Sequence, residues 1–412
     1  MKPWLAWQRL WNPKKRMNRQ EKQHAIILLM AFLTFVSAFP PLATDLYLPA
    51  MPVMGKEFAA SASTIQFTLS GFTICFALSM LVWGPLSDRY GRKPILYSGA
   101  IFFIVASIIA SFSPNLEMLI AARALQGVGS AALSNVAMSI VKDSFSTHRV
   151  ERMLAFMQTF IVLAPMVAPV LGGAILLVTS WQGIFWILAG SGIVALVGAF
   201  FVKESLKNAL EGPWTRSLSR IPYVLKNRGF LLLLILFSAM AMPFMAFLAV
   251  STYIYQSVFQ VSAQAFGLYF AATAFVAMLG AIAYIKFFHR FSRYILLLWV
   301  FVIVAFAGAL LLIIGTSNVV VFTILAMLIS FVCSVSRAPA TVLMLYQLDT
   351  DTGTVSALMG SAAFLFGAFS MLLCSLPWPN FVYAYGTISC VLGSFATFFW
   401  IFLNKKKLFR EV

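Results

Sequence analysis

The feature that most constrains this chain is a succession of apolar runs, each long enough to cross a bilayer, separated by short polar stretches. A helix crossing the hydrocarbon needs about 20 apolar residues, because no water is there to satisfy an open backbone. Runs of that kind predict spans near residues 24–48, 63–85, 95–113, 117–141, 153–178 and 182–202. A second set is predicted near 229–255, 264–288, 294–315, 319–345, 354–376 and 381–403. Composition agrees: 61% of residues are hydrophobic, 10% are charged and the mean hydropathy is +0.93. Polar surface on that scale cannot cover a water-soluble core of 412 residues. The expected fold class is an all-α membrane protein with 12 transmembrane helices, and a second soluble domain has nowhere to fit.

The net charge of +17 is a matter of topology. Lys and Arg are scattered between apolar runs with no basic face or aromatic recognition motif, so no nucleic-acid partner is expected. They crowd into alternate loops: the N-terminal tail, the loop after span 2 (Arg89, Arg92, Lys93), the loop after span 4 (Lys142, Arg149, Arg152), residues 203–228, the loop after span 8 (Lys286, Arg290, Arg293) and the C-terminal tail. The opposite loops hold only Lys56, and Arg123 and Arg337 fall inside spans. Excess basic charge marks the cytoplasmic side, so both termini are expected there, which requires an even number of spans. The basic N-terminal segment before an apolar run resembles a secretory signal, but the run from Ala25 is too long for one and is read as span 1.

Residues 203–228 form the longest internal polar stretch and carry Lys203, Lys207, Arg216, Arg220, Lys226 and Arg228. They divide the chain into a cytoplasmic tail (1–23), a six-helix bundle (24–202), a linker (203–228), a second six-helix bundle (229–403) and a C-terminal tail (404–412). A faint repeat supports the division: at an offset of about 203 residues, Pro40 of span 1 matches Pro243 of span 7.

Cys75, Cys333, Cys374 and Cys390 lie inside apolar runs without CxxC or His-paired spacing, and His24, His148 and His289 do not cluster. Neither a disulfide framework, a metal site nor a cofactor is expected. No catalytic constellation, channel filter or nucleotide-binding loop occurs either, which argues against an enzyme, a channel and an ATP-driven pump.

Four segments carry specific chemistry. Gly84-Pro85-Leu86-Ser87-Asp88-Arg89-Tyr90-Gly91-Arg92-Lys93-Pro94 lies in the turn between spans 2 and 3. Gly84 and Gly91 permit close backbone approach and a tight turn, and Asp88 can meet a helix N-terminus and a guanidinium. In span 4, Arg123-Ala124-Leu125-Gln126-Gly127-Val128-Gly129 places an arginine where it is costly, so it should have a partner; snorkelling to the interface is the plainer alternative. Span 5 contains Ala164-Pro165-Met166-Val167-Ala168-Pro169-Val170-Leu171-Gly172-Gly173, where Pro169, Gly172 and Gly173 would bend the helix and allow tight packing; a merely kinked, lipid-facing helix is the plainer alternative. Span 1 ends in Ala43-Thr44-Asp45-Leu46-Tyr47-Leu48-Pro49-Ala50-Met51-Pro52.

These segments resemble the major facilitator superfamily. The Gly84–Pro94 loop is similar to its signature G-x-L-a-D-r-x-G-r-k, the Arg123 segment to the R-x-x-Q-G-x-G motif of proton-coupled members, and the span 5 segment to the exporters' G-x-x-x-G-P-x-x-G-G motif, with Ala164 and Ala168 replacing two glycines. With the Asp45 string, they look like the Bcr/CflA drug:proton antiporters, most strongly over residues 25–205. The resemblance implies proton-coupled export of drugs or other small amphipathic compounds across a bacterial inner membrane by a functional monomer; export of a metabolite such as a siderophore, peptide or amino acid is the alternative. It also implies that Gly84, Asp88, Arg89, Gly91 and Arg92 form a gate loop against span 11, which begins after Asp351-Thr352-Gly353.

Asp45 is the one acidic residue clearly embedded in the first-half spans, whereas Glu57, Glu117 and Asp143 sit at or beyond their ends. A carboxyl moved between wet and dry surroundings can load and release a proton, so Asp45 is the coupling candidate; a helix-end cap at the interface is the alternative, and the motif resemblance implies a share in the coupling for Arg123. Related antiporters can carry a second carboxylate two turns earlier, but Ser37 stands there. The substrate cavity is expected among Tyr47, Gln126, Asn135, Gln158, Tyr253, Tyr255, Arg337 and Phe364, with Gln256, Tyr269, Tyr346 and Phe366 as further wall candidates. Arg337 either lines that cavity, pairing with Asp45 or an anionic or zwitterionic substrate, or bonds carbonyls freed at a helix kink.

Overall fold

The computed structural model describes residues 19–145, 147–206, 209, 214, 218–348 and 352–410. Much of the basic N-terminal tail, Lys207 and Arg216 of the linker, the side chains of Arg149 and Arg152, and Asp351 with the side chains of Thr352 and Gly353 lie outside that description. Among the described residues the protein is all-helical. Eleven helices are long and apolar enough to cross a membrane, and a twelfth span is the bent pair Ile26–Ser37 and Phe39–Glu57.

Spans 2 to 6 run Ala62–Tyr90, Arg92–Ser111, Leu116–Ser144, Thr147–Ile175 and Trp181–Phe201. Span 7 is Arg228–Ala239 continued by Met242–Tyr253 and a wide turn at Ile254–Val258; spans 8 to 12 run Ala263–Lys286, Arg293–Ile314, Val319–Leu345, Thr352–Cys374 and Phe381–Lys405. Polar side chains start several of them. Ser61, Asn115, Asn227, Ser262, Asn318 and Asn380 each accept a hydrogen bond from a backbone N–H of the first turn, satisfying donors that lipid would leave bare.

Two spans depart from the continuous helices expected. Span 1 breaks after Ser37 and bends by 42°. It resumes as Phe39–Asp45, tightens at Leu48–Ala50 and ends as Met51–Glu57. Pro40 and Pro41 cause the break, since each lacks an N–H and blocks the preceding helical turn. Span 7 is interrupted at Met240–Ala241, just ahead of Pro243. Prolines at the repeat offset therefore open a second helical segment in both spans.

The Gly84–Pro94 segment also differs from expectation. Span 2 remains helical through Tyr90, and the turn is a single residue, Gly91, with φ of +102°. In this conformation a Cβ on Gly84 would meet no described atom within 4 Å.

Helices pack where small residues remove side-chain bulk. Gly127 lies against the Phe72 carbonyl of span 2, and a Cβ on Gly129 would sit 2.7 Å from the Phe103 nitrogen of span 3. A Cβ on Gly173 would sit 2.8 Å from the Ala263 oxygen of span 8, and one on Gly267 2.9 Å from the Pro169 oxygen of span 5. Spans 5 and 8 thus meet backbone to backbone across the two halves of the sequence. Spans 2 and 11 form a matching contact, with Ser361 Oγ donating to the Ala77 carbonyl at 2.8 Å.

Candidate functional site

The broken end of span 1 positions Asp45. Its side chain is 2% exposed and accepts a hydrogen bond from Thr44 Oγ1 at 2.7 Å. Two residues earlier, the Ala43 carbonyl accepts from Arg123 Nη1 at 2.9 Å. Arg123 does not snorkel: it is fully buried, its guanidinium carbon lying 4.3 Å from the Tyr47 ring centroid and 4.6 Å from that of Phe72. It also donates to Gln126 Oε1, while Gln126 Nε2 donates to Ser107 Oγ at 2.7 Å. Arg123 therefore ties span 4 to the bent backbone carrying Asp45.

Asp45 faces a cavity of about 420 Å³ bounded by both halves of the sequence. Spans 1, 2 and 5 contribute Pro40, Pro41, Thr44, Phe72, Thr73, Phe76, Gln158 and Pro165; spans 7, 8, 10 and 11 contribute Phe244, Met245, Tyr284, Ser334, Arg337 and Phe364. Phe76 and Phe364 meet edge to face across the halves, with centroids 4.8 Å apart. Asp45 and Arg337 are the two charged groups among the described residues of this wall. Arg337 lies 5.6 Å from the Phe244 ring centroid and has no carboxylate in ion-pair range among the described residues. A larger groove of about 640 Å³ between spans 1 and 5 has no ionisable side chain among the described residues of its lining.

Of the residues expected to line the cavity, Gln158, Arg337 and Phe364 do so in this conformation. Tyr47 and Gln126 instead form the Arg123 cage, and Tyr47 OH pairs with Thr68 Oγ1 at 2.9 Å. Asn135 Nδ2 donates to the Met80 carbonyl at 3.0 Å. Tyr255 pairs with Thr323 and stacks on Tyr269, Tyr253 stacks on Phe381, and Tyr346 is exposed.

A clasp closes the side of the cavity away from the chain ends. Thr252 Oγ1 donates to the Leu48 carbonyl at 2.8 Å and Gln256 Nε2 to the Pro49 carbonyl at 3.1 Å. Both acceptors belong to the irregular turn of span 1, where Leu48–Ala50 tightens into a short 3-10 segment. Gln264 Nε2 adds a bond to the Gly173 carbonyl at 3.2 Å. Toward the chain ends the cavity runs to Tyr284 and Ile285, one turn from the end of span 8. Thr252 and Gln264 escape a sequence reading because an isolated hydroxyl or amide in an apolar run looks like any other; the offset of 204 residues between Leu48 and Thr252, close to that of the repeat, is the signal that points to the first.

The loop between spans 2 and 3 is a charge cluster. Arg92 pairs with Asp88 at 2.5 Å and Asp143 at 2.8 Å and donates to Ser87 Oγ. The Arg89 guanidinium lies 5.4 Å from the Tyr90 ring centroid. Glu204, just past span 6, accepts from the Arg92 and Lys93 backbone nitrogens at 2.9 and 3.0 Å and so caps span 3. Burial pushes the Glu204 carboxyl up, but the N–H groups of Leu206, Arg92, Lys93 and Ser205 outweigh it and hold it below the ordinary carboxylate range. A Cβ on Gly91 would lie 2.5 Å from Glu204 Oε2. The contact of Asp88 with the start of span 11 falls on residues outside the description.

Known proteins share this architecture. The chain is 30% identical over 260 residues to an uncharacterized MFS-type transporter, YdgK, of Bacillus subtilis, covering 62% of this chain and 65% of that protein. It is 31% identical to a bicyclomycin resistance protein homolog of Haemophilus influenzae, covering 45% of this chain and 46% of that one, and 32% identical to the multidrug resistance protein MdtL of Escherichia coli, covering 41% and 43%. The matches thus span from about two-fifths to just under two-thirds of those relatives' lengths. Among solved structures, a D-xylose-proton symporter superposes with a TM-score of 0.70 at 15% identity, over 90% of this chain and 97% of that one. The human organic anion transporter MFSD10 does so with 0.68 at 17%, over 91% and 99%. The Major Facilitator Superfamily profile matches residues 27–371. With twelve apolar helical spans around a cavity shared by its two halves, the chain is a multi-pass membrane protein and belongs to the major facilitator superfamily.

Proposed function

We propose that this protein is a proton-coupled exporter of small amphipathic compounds, with Asp45 as the group that takes up and releases the proton. One observation carries the reading: the one carboxyl among the described residues of the cavity wall sits at the broken end of span 1, beside a wholly buried arginine and within a largely apolar, aromatic-lined space. The resistance proteins among its relatives favour drugs as the cargo.

The excess of basic charge in alternate loops supports cytoplasmic termini. The clasp of Thr252 and Gln256 on Leu48 and Pro49 then closes the external side, and the cavity belongs to an inward-facing state. Two six-helix halves rock about it, exchanging this clasp for closure at the Asp88–Arg92 loop. In the inward-facing state the substrate displaces the proton from Asp45; in the outward-facing state the proton returns and the substrate leaves. The protein works as a monomer in a bacterial inner membrane.

In everted membrane vesicles, a transported compound should cause proton movement that Asp45→Asn abolishes. Coupled transport at wild-type rates in that variant would sink the assignment.

A further inference from the structure

We infer that the preferred substrates are zwitterionic amphipaths, whose anionic end is held by Arg337 of span 10 and whose cationic end takes Asp45 of span 1. The inference rests on the exporter reading and narrows its substrate class. Arg337 and Asp45 are the charges lining one cavity, contributed from opposite halves of the sequence. Arg337 differs in kind from Arg123. Arg123 is sealed between aromatic rings and spends hydrogen bonds on Ala43 and Gln126. Arg337 remains accessible, and what it meets is the cavity.

Charge accounting selects the ligand. A compound that fills the cavity shuts water out from Arg337 and from the little of Asp45 that is exposed. A neutral apolar molecule would leave both stripped, and stripping an unpaired charge costs more than apolar contact returns. A monocation answers Asp45 and strands Arg337. A monoanion answers Arg337 but is repelled by the Asp45 carboxylate, so it binds best when Asp45 is protonated. Such a ligand would travel with the proton and not against it. A zwitterion satisfies both groups, and its cationic end competes with the proton for Asp45, which makes the exchange obligatory. The planar guanidinium suits a carboxylate, and Phe76, Phe244 and Phe364 offer ring surfaces to an apolar body.

The test uses the full-length protein in detergent and proteoliposomes with four probes: phenylalanyl-phenylalanine, its methyl ester, its N-acetyl derivative and chloramphenicol. These are a zwitterion, a cation, an anion and a neutral amphipath. At pH 7 the dipeptide should bind about tenfold or more tightly than the ester. Arg337→Gln should reverse that order, weakening the dipeptide about tenfold while strengthening the ester, which no longer meets a like charge. Arg337→Lys keeps the charge and loses the fork, so the preference should shrink without reversing. Because the readout is a ratio within one variant, partial loss of folded protein does not affect it, and the wild-type ranking stands as a test if the Gln variant does not fold.

If the ester or chloramphenicol binds wild type as well as the dipeptide does, or if none of the charged probes binds while chloramphenicol drives Asp45-dependent proton release, the zwitterion inference is overturned and the exporter reading stands. If no compound in a wider drug panel drives Asp45-dependent proton release, the exporter reading itself fails.

Discussion

Replacing Gly173 by alanine should shift the protein away from the conformation described here without unfolding it. Gly173 packs against the first residues of span 8, and an added Cβ would lie 2.8 Å from the Ala263 oxygen and 3.1 Å from the Gln264 Cα. Both are backbone atoms that cannot rotate aside, and ordinary contact begins at 3.4 Å. Overpacking of this kind costs about 1–3 kcal/mol. The contact joins spans on opposite sides of the cavity, so opening the clasp relieves it, and the penalty falls on one conformation. At 1.4 kcal/mol per tenfold, the population with the clasp closed should fall about 5- to 150-fold relative to the one with it open. The assay is alkylation of a cysteine placed at Thr252 by an impermeant maleimide, with the native cysteines replaced. Gly173→Ala should speed labelling from the side the clasp closes several-fold while the melting temperature stays close to that of the parent. Unchanged labelling with an intact melt would refute the idea that this contact belongs to one state; a collapsed melt with unchanged labelling would make it purely structural.

Further tests address the loop between spans 2 and 3. Glu204→Gln should weaken the cap on span 3 by about 0.5–1 kcal/mol at neutral pH, seen as a lower melting temperature in detergent. Because the folded carboxyl is held below its ordinary range, its contribution is present above the unfolded pKa and fades as pH falls through the folded one. Wild type and variant should therefore converge on acidification below about pH 4. Gly91→Ala meets two penalties, a φ of +102° and a Cβ 2.5 Å from Glu204 Oε2, and should cost at least about 1 kcal/mol in the same melt and slow transport.

The fold was legible because lipid makes the sequence simple: a spanning segment must be helical and apolar, so run length reports each span. Finer features were legible only where a residue is chemically committed. Pro40 and Pro243 announce breaks because proline removes a donor whatever surrounds it, yet nothing local told that span 1 would resume as two further helices to Glu57. Arg123 and Asp45 stood out as charges in grease. Glu204 did not, because its partners lie 111 and 112 residues away and a glutamate just beyond a span is ordinary. Tyr253 and Tyr255 show the converse difficulty: aromatic residues in spans are common, and only packing separates a cavity wall from a core such as Tyr255 on Tyr269.

The claim that Asp45 is where proton and substrate compete is most directly tested by proton release from purified protein on binding a transported compound. With a pH-sensitive dye in weak buffer, wild type should release protons on ligand addition near neutral pH, and Asp45→Asn should bind the ligand without release. Release of equal size from Asp45→Asn would place the coupling site elsewhere and contradict the account.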